Sequence, residues 1–286
     1  MRVLVTGGGG QLGRALARVG ARGGHDVRAL PRAALDVTDA AAVAAALDVH
    51  RPAVVINAAA DTGVDRAEAR PDRAFAVNAI GADRVARACA ARAVPLLHVS
   101  TDHVFDGLAT RPYGEDAAVR PRSVYGRSKA EGEAAVRAAG GVVVRTSWLF
   151  SADGRGFVPA IVRAARRGDP LRAVVDHTGS PTAADDLARV LLALGDRRDL
   201  PAVLHVAGEP AVTRLALAQA VVDALVAAGA IAPITVAPAS AATWWAPAAR
   251  PAYAALGGQR LRGLGLAPPP WRCALGRAVR TLARGR

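Results

Sequence analysis

Short β-branched runs alternate with longer segments of helical spacing through the first half of this chain, and that alternation leaves few folds open. "RVLVTG" runs into glycines, "QLGRALARVGARG" carries apolar residues at helical intervals, and "DVRAL" resumes an extended pattern. "AAAVAAALDVH", "RAFAVNAIGADRVARACAARA" and "RSKAEGEAAVRAAG" read as helices, separated by the strands "AVVINAAA", "PLLHVSTD" and "GVVVRTSWLF". These strands are apolar almost without interruption, so both of their faces need cover. Alternating order with doubly covered strands predicts a parallel sheet with helices on each side. Residues 1–148 are therefore expected to form a Rossmann-type, doubly wound α/β domain.

Beyond Phe150 the rhythm loosens. "FVPAIVRAARRG", "AADDLARVLLALG" and "RLALAQAVVDALVAAG" read as helices and "AVLHVAG" as a strand, while "APASAATWWAPAARPAYAALGG" is irregular. Residues 149–286 are expected to be a smaller substrate-binding region, some of whose elements return to the first domain. Open parallel sheets bind ligands at the carboxyl ends of their strands, and this region is placed to close over one. The terminal "RCALGRAVRTLARGR" has Leu275, Val279 and Leu282 at spacings that suit a helix packed on the body rather than on a membrane.

Gly7, Gly10 and Gly13 follow the first strand and open the first helix with G-x-x-G-x-x-G spacing. Glycines in that context let the backbone approach a pyrophosphate at a helix N-terminus, so a dinucleotide is expected here. The end of the second strand bears on which one. "VRALPR" offers Arg28 and Arg32 rather than a carboxylate for a ribose 2′-hydroxyl, and arginine welcomes a 2′-phosphate. NADPH is the expected cofactor, with Arg32 its contact and NADH the alternative. Asp36 is expected near the adenine.

Lysine and arginine together number 37, yet Lys129 is the only lysine. A chain that uses arginine everywhere else keeps, at this one position, a compact ammonium whose pKa can be tuned. Tyr125 precedes it by four residues, so the two share a helix face. The net charge of +13 invites a nucleic-acid reading. The arginines, however, are scattered singly through apolar patterns, and aromatics make up 4% of the chain, too few for a stacking surface. Anionic small molecules are the expected partners, with neither nucleic acid nor membrane among them. No apolar run reaches membrane-spanning length and no leader pattern opens the chain, so a cytoplasmic location is expected. Cys89 and Cys273 lack metal-ligand spacing, which argues against a zinc site or a disulfide framework.

Thr6-Gly7-x-x-Gly10-x-x-Gly13, "NAAA" at 57–60, "STD" at 100–102 and Tyr125-x-x-x-Lys129 together resemble the extended short-chain dehydrogenase/reductase superfamily. Within it, "NAAADTGVDRAE", "STDHVFDG", "VYGRSKAEGE", "RTSWLF", "DHTGSPT" and "RPAYAAL" resemble the dTDP-4-dehydrorhamnose reductase family, in order and over nearly the whole chain. The resemblance implies NADPH-dependent reduction of the 4-keto group of a nucleotide-linked 6-deoxyhexose, most directly dTDP-4-dehydro-L-rhamnose, by a monomer or homodimer. It places Gly7, Gly10, Gln11, Leu12, Arg32, Asp36, Val37, Ala58, Ala59, Ala60, Tyr125 and Lys129 at the cofactor. It places Thr62, Val64, Thr101, Asp102, His103, Phe105, Trp148 and Arg250 at the substrate, with Thr101, Tyr125 and Lys129 as the catalytic group and no metal.

Ketone reduction needs a hydride and a proton delivered to the oxygen. A free tyrosine, with pKa about 10, is a poor partner, and a cation one turn away is expected to bring it towards neutrality. Lys129 is also expected to bond the nicotinamide ribose, and Thr101 to polarise the carbonyl beside Tyr125. Asn57 and Asn78 are expected to hold loops near the cofactor, Gly179, Pro181 and Thr182 to shape a substrate loop, and Arg250 to take the diphosphate. Against the family pattern, His103 stands for a tyrosine, Asp61 for an aromatic or histidine, and Tyr253 for a small polar residue. Ala15 stands where some members carry a magnesium-binding glutamate. The alternatives are a reductase of another deoxysugar nucleotide, an epimerase or dehydratase of the superfamily, and a non-catalytic nucleotide-binding regulatory subunit.

Overall fold

The structure is a computed structural model that describes residues 1–153, 156–243, 246–268 and 270–284. Residues 244 and 245 of the irregular stretch and the last two residues of the C-terminal segment fall outside that description. Strands β1 (Arg2–Thr6), β2 (Asp26–Leu30), β3 (Val54–Asn57), β4 (Leu96–Thr101) and β5 (Val142–Thr146) alternate with helices. Those helices are α1 (Gln11–Arg22), α2 (Ala40–His50), α3 (Val64–Ala69), α4 (Pro71–Phe75), α5 (Gly81–Ala90) and α6 (Val124–Ala138). The five strands and Val203–His205 form one six-stranded sheet, parallel throughout, in the order Val203–His205, β5, β4, β3, β1, β2.

Alternate residues of each strand feed two cores, which is why the strands are apolar on both faces. Val3, Val5, Val54, Ile56, Leu97 and Val144 pack on Leu12 and Leu16 of α1 and on Leu187 and Leu191. Their neighbours Leu4, Val55, Leu96 and Val143 turn the other way, onto Val43 and Leu47 of α2, Val85 of α5 and Val136 of α6. Each fully buried leucine contributes roughly 1.5–3 kcal/mol. Two of the elements that complete this unit come from late in the chain. Helix Ala184–Gly195 covers α1, and Val203–His205 extends the sheet beyond β5.

The stretch read as one long helix runs from Pro71 to Ala90 but passes through a π turn at Ala76–Ile80. That turn holds Asn78, whose side chain receives the Asp61 N–H at 2.8 Å and donates to Ser128 Oγ at 3.0 Å. It thereby clamps the loop after β3 to α6. Helix α6 is also tied to β5 by a buried ion pair, Arg145 Nη2 to Glu133 Oε2 at 2.6 Å. The helices Phe157–Arg167, Arg214–Ala227 and Trp271–Ala283 share a separate core with Phe150. Leu275 and Val279 are buried in it and Leu282 packs against it, as the spacing predicts. Among the described residues no helix is long and apolar enough to cross a membrane.

Candidate active site

β1 ends at Thr6 and the chain turns at Gly7, whose φ of +70° lies in the left-handed region that favours glycine. A Cβ on Gly7 would stand 2.7 Å from the Ala59 nitrogen, so Ala58 and Ala59 lie directly against the loop. Gly10 precedes α1 and offers no side-chain cap, leaving the first N–H groups of the helix without a side-chain acceptor. A pyrophosphate fits that cradle. Gln11 Oε1 accepts the Ser151 hydroxyl at 3.0 Å, and the Leu12 side chain is buried, so Leu12 has only its backbone to offer a ligand. Arg32 stands just beyond β2, 64% exposed and paired with Asp36 at 3.1 Å. Asp36 also accepts from the Thr38 N–H and hydroxyl, bonds that hold its carboxyl below the usual range. Arg28 pairs with Asp26 inside β2 instead, and lines a hollow with His50 and Pro52 away from the glycine loop. Val37 is buried against Gly81.

At the end of β4, Thr101 Oγ1 donates to Asp102 Oδ1 at 2.9 Å, and Ser147 Oγ holds the other carboxylate oxygen at 2.8 Å. Ser123 opens α6 by accepting the Gly126 N–H at 3.1 Å, and Glu68 Oε1 accepts the Val124 N–H at 2.8 Å. Two orphan donors at the helix start are thus satisfied, which sets Tyr125 firmly in the first turn. Its ring meets His103 edge-on, with centroids 5.4 Å apart, and packs beside Val64. Thr62 is exposed on the same loop.

Tyr125 departs from expectation. Burial pushes its pKa up, and the Asp102 and Asp61 carboxylates push the same way, while only the hydrogen bond with Thr101 opposes them. The Lys129 cation does not offset this, because Nζ is turned down to Val99 O at 2.8 Å and His98 Nε2 at 3.1 Å. The phenol is therefore fully protonated at neutral pH, the state a proton donor needs. Burial brings Lys129 down to about 8.

Beyond Thr101 opens a cleft of about 540 Å³ lined by His103, Trp148, Phe157, Arg172, His177, Arg214 and Arg250. Trp148 adopts φ +44° and lies over Gly179, where a Cβ would come within 2.3 Å of the indole. Thr182 caps the same turn, accepting the Gly208 N–H at 3.1 Å and donating to Ser180 O. Arg250 is braced by Asp65 at 2.6 Å and 2.7 Å. Asp61, the departure noted in the sequence, is buried between Arg66 at 2.5 Å and Arg73 at 3.0 Å. Burial lowers the pKa of His103, and among the described residues its Nδ1 has no hydrogen-bond partner. Phe105 corrects an expectation: it is 1% exposed, stacked on Tyr113 at 4.2 Å and covered by Arg145, so it supports the loop after β4 from within the core. Tyr253 pairs through its backbone with Thr178, beside Gly179.

Arg214, His177 and His98 escaped the reading of the sequence. A signal existed for two of them. His98 is an imidazole set between Leu97 and Val99 in the buried part of β4, and Arg214 puts a cation at a helix start, where the helix dipole disfavours it. Ala15 is buried against the helix Ala184–Gly195. Among the described residues no group of three or more His, Cys, Asp or Glu is placed to hold a metal.

A Streptomyces antibioticus protein named a probable dTDP-4,6-dihydroxy-2-methyloxan-3-one 4-ketoreductase is 43% identical over 279 residues, covering 96% of this chain and 93% of that protein. The dTDP-4-dehydrorhamnose reductase of Streptomyces griseus is 43% identical over 282 residues, covering 96% and 91%. A solved structure of dTDP-4-dehydrorhamnose reductase from Bacillus anthracis in complex with NADP matches with a TM-score of 0.90 at 33% identity, covering 96% of this chain and 97% of that one. The family model for the RmlD substrate binding domain matches residues 1–284, and the chain belongs to that family.

Proposed function

We propose that this protein is an NADPH-dependent reductase that converts the 4-keto group of dTDP-4-dehydro-L-rhamnose to the alcohol of dTDP-L-rhamnose, in the cytoplasm. The observation that carries the reading is the convergence of Thr101 and Tyr125, with Lys129 one turn below, between the glycine loop and the cationic cleft. The names borne by the relatives and by the NADP-bound neighbour support it.

NADPH, when bound, supplies the hydride that forms the new C–H bond at the ketone carbon. Gly7, Gly10, Gln11, Leu12 and Ala58–Ala60 would hold it through their backbones, Arg32 its 2′-phosphate, Asp36 and Val37 its adenosine end, and Lys129 its nicotinamide ribose. Tyr125 gives its proton to the ketone oxygen as negative charge develops there. Thr101 donates to the same oxygen once its hydroxyl turns from Asp102, which orients it in the meantime. Trp148 and residues 149–286 bring the substrate side: Trp148 against the sugar, and Arg214 and Arg250 of the later region towards the diphosphate.

A second reading, reduction of another dTDP-linked 4-keto deoxysugar, has two supports. The Streptomyces antibioticus ketoreductase is as similar as the rhamnose enzyme, and Asp61 puts a buried carboxylate near Tyr125. Incubation with NADPH and each keto sugar, with the product identified by NMR, tests both. A C4 alcohol formed fastest from the rhamnose precursor supports the first reading; faster turnover of another keto sugar supports the second, and no alcohol from either rejects both.

A further inference from the structure

Four buried polar side chains stand in a row beneath the active site. Thr6, Asn57 and Lys129 are each 1% exposed and His98 is 0% exposed. Thr6 Oγ1 donates to Asn57 Oδ1 at 2.6 Å, Asn57 Nδ2 lies 3.0 Å from His98 Nδ1, and His98 Nε2 lies 3.1 Å from Lys129 Nζ. A chain of this kind joins the strand that enters the glycine loop to the only lysine in the protein.

We infer that His98 is a positioning residue that sets the charge of Lys129 by presenting an N–H, rather than a lone pair, to Nζ. The functional part of this inference rests on the proposed roles of Tyr125 and Lys129.

The direction of the chain follows from its fixed end. The Ala59 backbone N–H can only donate, and it lies 3.2 Å from Asn57 Oδ1. The amide oxygen therefore faces Ala59 and Thr6, and the NH₂ group faces His98. An NH₂ group aimed at Nδ1 requires that nitrogen to be bare. Burial keeps His98 neutral, so its single proton is on Nε2, pointing at Lys129. An ammonium has three donors and no acceptor, whereas an amine can receive this N–H. Val99 O accepts one N–H from Nζ in either form.

The charges around Lys129 leave this bond in control. On its own helix stand Tyr125 and Glu133, and Glu133 is engaged by Arg145 from β5. Asp61, from the loop before α3, is held by Arg66 and Arg73; Asp102, after β4, is held by Thr101 and Ser147. Among the described residues no carboxylate bonds Nζ. Burial brings the Lys129 pKa down to about 8 although the Glu133 carboxylate raises it, and a donor from His98 acts in the same direction as burial, favouring the amine. A lysine so poised can restore the proton that Tyr125 loses: an N–H bond of Lys129 breaks, the phenol O–H re-forms, and the amine left behind receives the His98 N–H. An ordinary lysine, with pKa about 10.4, would hold that proton more tightly.

A single lysine makes the test direct. Protein labelled with ¹³C-lysine gives one side-chain signal, whose titration reads Lys129 without any substrate. In His98→Gln the glutamine carbonyl can accept from Nζ, so the midpoint is expected to rise by about one pH unit. An unchanged midpoint in the folded variant overturns the inference. If His98→Gln does not fold, ¹⁵N-histidine labelling of the unaltered protein decides: a His98 proton on Nε2 is expected, and one on Nδ1 overturns it. Absence of reductase activity would reject the proposed function and leave both of these readouts intact. Where activity is present, the alkaline limb of kcat is expected to move with the lysine midpoint; a limb that stays put overturns the catalytic part of the inference.

Discussion

The guanidinium of Arg214 lies 3.5 Å from the centroid of the Trp148 ring and 4.9 Å from that of Phe157. It makes no salt bridge among the described residues, and burial lowers its pKa to about 10, which still leaves it cationic at neutral pH. Cation–π contact in a desolvated site contributes about 2 kcal/mol and keeps the group in place without consuming its N–H donors. Those donors remain for a phosphate. Arg214→Met is expected to raise KM for the nucleotide sugar by roughly 10- to 100-fold, with a smaller effect on kcat. Steady-state kinetics at saturating NADPH would check this.

Gly179 tests the seat of the same pair. A methyl group there would come within 2.3 Å of the Trp148 ring, so Gly179→Ala is expected to displace the indole and Arg214 with it. KM for the sugar should rise while the dissociation constant of NADPH, measured by fluorescence titration, stays the same.

The alternation of elements and the glycine loop were legible in the sequence because each depends on local rules: periodicity of apolar residues, and backbone space at Gly7. Tyr125 and Lys129 were legible through spacing and rarity. What Lys129 does with its charge was not. A cation at i+4 suggested a lowered tyrosine pKa, but Nζ is drawn to Val99 and His98, residues of another element, and burial then dominates Tyr125. Arg214 was hidden for a similar reason, since its place beside Trp148 depends on packing between segments more than sixty residues apart. Phe105 sits in a motif otherwise rich in site residues, yet the loop after β4 turns its ring inward onto Tyr113.

Removing Glu133 should expose how α6 is anchored. Arg145 is 2% exposed and its charge is met by Glu133, so Glu133→Ala leaves a buried cation without its counterion. The expected loss is about 3–5 kcal/mol of unfolding free energy, read from denaturant titration.

Arg32 governs cofactor choice if its fork meets a 2′-phosphate. It is exposed and its only ion pair among the described residues is with Asp36, so Arg32→Ala should perturb the fold little. KM for NADPH is expected to rise about tenfold, equivalent to about 1.4 kcal/mol, with KM for NADH unchanged.

The pH profile follows from Lys129. Its pKa of about 8 means ammonium below that pH and amine above it. Since only the ammonium has a proton to return to Tyr125, kcat is expected to fall as pH rises through about 8. Lys129→Arg, always charged, should lose this limb and most of the rate, because a planar fork cannot replace a compact ammonium in a slot with 1% exposure.

Hydride destination is the most direct measurement. The protein is mixed with NADPH carrying deuterium at the transferred position and with dTDP-4-dehydro-L-rhamnose, and the product is examined by NMR alongside the Tyr125→Phe variant. Deuterium at C4 of the sugar is expected, with a rate at least about 100-fold lower in Tyr125→Phe and NADPH binding retained. A product without deuterium at C4, or a phenylalanine variant as fast as the unaltered protein, would contradict the assignment of Tyr125 as the acid of a sugar 4-ketoreductase.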